Sequence, residues 1–211
     1  MGQWMSSYRE PMLRYGLGIV TAPSVEPIDI ATAKLYLRVE TDDDVTLIQA
    51  MIQKARVDAE NKLDRTLINT TWRMTFDEFP CGANPIHLPR PPLGSSSSNV
   101  SITYTNSTGA STVWDSSNYS IDYNSEPGRL FPIYGQTWPT ARDIPNAVTI
   151  QFVAGYGATA DTVPAGIRTY MMRLIADEYE NREVSSVGMT VNPHSNIEGL
   201  LDPYRWTVHV S

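Results

Sequence analysis

The chain has 211 residues, 41% of them hydrophobic and 18% charged, with a net charge of -7 and one cysteine. These figures exclude a disordered or fibrous protein and a fold built on internal disulfides. They also argue against a chain that grips nucleic acid, because phosphate binding requires a basic face.

Residues 1–27 read as an arm. Trp4, Tyr8, Met12, Leu13 and Tyr15 are irregularly spaced, and Pro11, Pro23 and Pro27 interrupt any helix. The first six residues, from Met1 and Gly2 to Ser6, fit a myristoylation pattern, but the pattern is short and is set aside. No apolar run approaches membrane-spanning length, and the first residues lack a signal-peptide core.

A first helix is expected over 29–39, with Asp29 as its N-cap and Ile30, Ala33 and Leu37 on one face. A second is expected over 42–64, opened by a capping box in which Thr41 is the N-cap and Asp44 stands at N3. Its stripe is Val45, Ile48, Met51, Ile52, Ala55, Ala59 and Leu63. Asp42 and Asp44 lack the glycine turn and closing glutamate of a calcium loop, so capping accounts for them better.

From Thr66 the apolar period changes from 3.6 to 2. Strands are expected at 72–76, 100–104, 119–123, 129–131 and 148–152, separated by serine-, asparagine- and glycine-rich turns. With no helices between them they form an antiparallel sheet or small sandwich. Helical periodicity returns at Pro164, with Ile167, Tyr170, Met171, Leu174, Ile175 and Tyr179 as the stripe of a helix over 164–182.

The expected fold is therefore α+β: a helix hairpin plus a C-terminal helix, with an antiparallel β module inserted between helices 2 and 3. The divisions are an arm at 1–27, a helical core at 28–66 and 156–201, the β module at 67–155, and a tail at 202–211.

Gly155, Gly157 and Ala160 match G-x-G-x-x-A, the dinucleotide-loop pattern. That loop requires the helix to begin inside the glycine pattern, so that free N–H groups face the phosphates. Here the helix begins only near Pro164, and no parallel strand–helix alternation surrounds it. The glycines are better explained as a bend between the last strand and the third helix.

Other chemistry is sparse. His87, His194 and His209 have no metal-ligand spacing, and Cys81 has no partner. No serine sits in a nucleophile elbow. Glu178, Glu180 and Glu183 form an acidic helix end better suited to solvent or an interface than to acid–base work. No catalytic, cofactor-binding or metal site is expected.

The stretches "IDIATAKLYLRVETDDDVTLIQAMIQKARVDAENKLDRTLINTTWRMTFDEFP", "IHLPRPPL", "WPTARDIPNAVTIQFVAGYG", "VPAGIRTYMMRLIADEYENRE" and "LLDPYRW" occur in this order between residues 27 and 206. In that ordered set the chain resembles the head–tail connector (adaptor) proteins of tailed bacteriophages. The aromatic arm and the residues after Trp206 depart from the pattern.

The resemblance implies a virion neck protein, assembled in the bacterial host cytoplasm, whose copies form a ring of twelve under the portal. It implies three kinds of partner: the portal protein, neighbouring copies, and a distal tail or neck protein. DNA would pass through the lumen without sequence-specific binding, and no membrane is involved. Tyr204, Arg205, Trp206, Val208 and His209 are the expected portal-binding residues, by composition and by analogy. Glu178, Glu180, Arg182 and Glu183 on the third helix, against Lys54, Arg56, Lys62 and Arg65 on the second, are the expected subunit-interface patches. A rival reading makes the β module, with Tyr104, Trp114, Tyr119, Tyr123, Tyr134 and Trp138, a carbohydrate- or receptor-binding surface.

Overall fold

A computed structural model describes residues 14–94, 99–181 and 195–205. Its elements run β1 (Gly16–Thr21), α1 (Ile30–Leu37), α2 (Val45–Leu63), β2 (Thr70–Phe76), β3 (Ile86–Leu88), β4 (Val100–Thr105), β5 (Ser111–Trp114), β6 (Tyr119–Asp122), β7 (Gly128–Pro132), β8 (Val148–Ala154), α3 (Ala165–Glu180) and α4 (Ser195–Glu198). The architecture is the expected α+β. Among the described residues no helix is long and apolar enough to cross a membrane.

The stripes read from the sequence pack as helical stripes should. Ile48, Ile52, Ala55, Ala59 and Leu63 of α2 meet Ile167, Tyr170, Met171 and Ile175 of α3, joined by Ala33 of α1 and by Leu201. A second core lies between the β strands, around Met74, Phe76, Ile102, Leu130, Ile150 and Phe152. Leu67 and Ile68 pack with the helices, so the change of core falls just after them. The β residues form two antiparallel sheets, one ordered β1-β2-β8-β4-β5 and one ordered β3-β7-β6.

Three strands went unread in the sequence. β1 lies inside the segment read as an arm and pairs antiparallel with β2, Gly16 opposite Thr75 through Ile19 opposite Trp72. β3 has three residues and β5 four, too short to show a period of 2.

The helix starts differ in an instructive way. Asp29 caps α1 as expected, its carboxylate accepting the Thr32 N–H at 2.7 Å. The expected capping box at Thr41 does not form: α2 begins at Val45 with Asp44 as N-cap, and Asp44 makes no side-chain capping bond. Its carboxylate is engaged by the Tyr179 hydroxyl at 2.6 Å, while Asp42 takes Lys34 at 2.6 Å. Partners from other elements outcompete the local cap.

Gly155 resolves the glycine pattern. Its φ is 141°, and a Cβ there would lie 2.5 Å from the Asn69 nitrogen. The residue is a bend pressed against Ile68 and Asn69, just before β2, and α3 starts only at Ala165.

Candidate interaction surface

The cations singled out on the second helix lie on α2 and, for Arg65, just past its end, and each is engaged within the chain. Lys54 reaches Glu178 on α3 at 2.6 Å. Arg56 lies between Glu26 at 2.7 Å and Glu60 at 3.0 Å. Lys62 donates to the Tyr170 hydroxyl at 2.9 Å and to Glu198 at 2.7 Å. Arg65 donates to the Tyr204 carbonyl at 2.6 Å and holds the Glu126 carboxylate through two nitrogens, Nη1 at 2.9 Å and Nη2.

These contacts divide into two kinds. Lys54 keeps a side chain that is 66% exposed, so its pair with Glu178 is a solvent-screened bridge worth little to stability. Arg65 is only 7% exposed and ties together the end of α2, the turn before β7 and the turn at residues 202–204. Burial pulls its pKa down, but the Glu126 carboxylate together with Tyr156 more than offsets this and the value is raised. For Lys62 burial is likewise outweighed, here by Glu198 and Tyr170, and its pKa is raised. Glu198 is correspondingly lowered by its hydrogen bond to Lys62.

Of the expected interface residues, then, Lys54 and Glu178 do meet, within one chain. Arg56, Lys62 and Arg65 serve internal contacts. Glu180 is exposed on the last turn of α3. Arg182 and Glu183 lie outside the described residues.

Of the expected portal-binding residues, Tyr204 and Arg205 are described, and Trp206, Val208 and His209 are not. Tyr204 docks on its own body. Its ring lies where a Cβ on Gly166 would come within 2.9 Å, so glycine at this position of α3 admits the tyrosine. Leu201 is fully buried in the helical core beside it. Arg205 pairs with Asp202 at 3.1 Å. Residues 197–205 thus form a strap held on α2 and α3 by Lys62, Arg65 and Leu201. The acceptors Glu26, Glu60, Glu126 and Glu198 were missed in the sequence. Only Arg56–Glu60 had a legible signal, the i,i+4 spacing.

The β-module aromatics pack largely on one another. Phe79 stacks on Trp138 at 5.3 Å and Trp114 on Tyr119 at 5.5 Å, and Trp138 donates to the Asn84 carbonyl at 2.8 Å. Tyr134 is fully exposed. His87 is exposed on β3, Cys81 is an exposed thiol, and no metal-ligating cluster occurs among the described residues.

No family model and no curated protein matches the sequence. Solved structures do. The chain is similar to one in the neck of an empty gene transfer agent (GTA) particle computed with C6 symmetry, with a TM-score of 0.73 and 20% identity over 93% of this chain and 97% of that one. It is similar to a chain in the virion of a native gene transfer agent particle, at 0.70 and 21% over 92% and 97%. It is also similar to a chain in the neck of a native particle computed with C12 symmetry, at 0.67 and 20% over 93% and 97%. The likeness covers more than nine-tenths of both chains, and the chain shares its fold with a chain from the neck of a gene transfer agent particle.

Proposed function

We propose that this protein is a head–tail connector, a structural component of the neck of a tailed phage or phage-like particle. The observation that carries the reading is the fold likeness over 93% of this chain and 97% of a chain from such a neck. The ordered motifs between residues 27 and 206 support it independently.

In this reading twelve copies close into a ring beneath the portal, extend the DNA channel and present a platform to the next neck or tail component. The work is assembly, with no catalytic step. The net charge of -7 suits a channel wall that lets DNA pass without adhering. The proposed portal contact is the end of the strap, where Tyr204 and Arg205 are followed in sequence by Trp206, Val208 and His209. Because Arg65, Lys62 and Leu201 anchor the strap to the body, a partner bound at 206–211 would be rigidly connected to the helical core. Of the proposed subunit contacts, exposed Lys54 and Glu180 remain the best placed.

Truncation after Arg205 is the direct test of the portal contact. Every described anchor of the strap is retained, so the melting temperature should hold while portal affinity falls by at least thirtyfold, about 2 kcal/mol. Unchanged portal affinity would refute the assignment.

A further inference from the structure

Among the described residues the five-stranded sheet ends in two strands with a neighbour on one side only, β1 and β5, at its opposite sides. Proteins usually guard such edges with lysine, proline or a covering element, because bare N–H and C=O groups recruit other strands. Neither edge here has a charged residue or a proline: β1 reads GLGIVT and β5 reads STVW. Both expose β-branched apolar side chains, Ile19 at 54% and Val113 at 69%.

The two edges match each other in detail. The regular register of β1 against β2 covers Gly16–Ile19 before an irregularity at Val20. β5 is likewise four residues long. Leu17 and Trp114 both pack toward the β core, so Gly18 and Val113 lie on the opposite face of the same sheet. Laid side by side from their first residues, the strands put Val113 beside Gly18. At Gly18 an added Cβ would meet nothing within 4 Å, leaving room for the valine.

Strand direction then selects the kind of assembly. All four pairings in the sheet are antiparallel, so β1 and β5 point the same way. A small rotation about a ring axis preserves that direction, so β5 of one copy meets β1 of the next as a parallel pair. A two-fold dimer would instead join β1 to β1 or β5 to β5. Between copies that each carry a charge of -7, uncharged edges are also where approach is least opposed.

We propose that β5 of one copy pairs with β1 of its neighbour, Val113 seated against Gly18, so that the sheets run continuously around the assembly. This inference rests on the ring reading above and names its interface.

Disulfide trapping tests it. In a Cys81→Ser background, Gly18→Cys and Val113→Cys are made singly and together, then oxidised with copper phenanthroline in the presence of portal. Within one chain the two positions lie four strand spacings apart, roughly 19 Å, far beyond disulfide reach. The double variant should give a non-reducing ladder of dimers, trimers and higher species, while each single variant gives none. Dimers from a single variant would mean isologous edge pairing and overturn the inference. Rings of normal mass without cross-links would overturn it while leaving the ring reading intact, and absence of any ring would remove both. As a second readout, Val113→Lys should lower the assembled fraction at least tenfold without moving the melting temperature. Normal assembly of Val113→Lys would also refute the edge pairing.

Discussion

Glu60 stands where α2 ends, and its two carboxylate oxygens serve different elements. Oε1 accepts the Leu67 N–H at 3.0 Å, holding the chain as it leaves the helix, while Oε2 meets Arg56 at 3.0 Å. Burial raises its pKa despite these partners. Glu60→Ala leaves a buried N–H without its acceptor and Arg56 with Glu26 alone. It should cost about 1–3 kcal/mol in chemical denaturation, and Glu60→Gln, which keeps an acceptor for Leu67, should cost less. Gly155 is the other sensitive position. With φ at 141° and backbone atoms 2.5 Å from any Cβ, Gly155→Ala should destabilise by on the order of 1–3 kcal/mol. A melting temperature equal to the parent's would contradict the tight bend. That bend was legible from the glycines alone. Of the four acceptors paired with Arg56, Lys62 and Arg65, only Glu60 was signalled, by its i,i+4 spacing from Arg56; pairs such as Arg65–Glu126 and Lys62–Glu198 span 61 and 136 residues.

Among the elements, the three long helices were readable because their apolar residues recur with the helical period and settle into one core. β1 was hidden by its two glycines and by neighbouring prolines. Its strand character comes from pairing with β2, more than fifty residues away, which no local pattern records. The helix starts make a paired test. Asp29→Ala removes a cap and should cost about 1 kcal/mol, whereas Thr41→Ala should stay within about 0.5 kcal/mol. The reverse ranking in thermal unfolding would restore the capping box at Thr41.

The strap at 197–205 carries its own pH dependence. Folding lowers the Glu198 pKa below its ordinary 4.5 through Lys62. A depressed carboxylate contributes stability above its unfolded value and loses it as pH falls through the folded one. Hydrogen-exchange protection of the strap should therefore hold at neutral pH and decline below about 4.5, and Glu198→Gln should abolish that decline. Protection insensitive to acid in the parent would mean that Leu201 and Arg65 alone retain the strap.

For the molecule as a whole, the two cores are linked by side-chain and backbone hydrogen bonds. Arg65 joins helix, β turn and strap. The Thr66 and Gly155 N–H groups donate to the Pro91 and Pro92 carbonyls at 3.1 and 2.9 Å. Links between the two cores suit the mechanical coupling that the proposed connector role would demand. Whether copies of this chain close into a ring on a portal is read from the mass of the purified protein mixed with portal oligomer. The expected result is a discrete complex holding twelve copies of the 23.5 kDa chain. A mass distribution of the chain left unchanged by portal would contradict it.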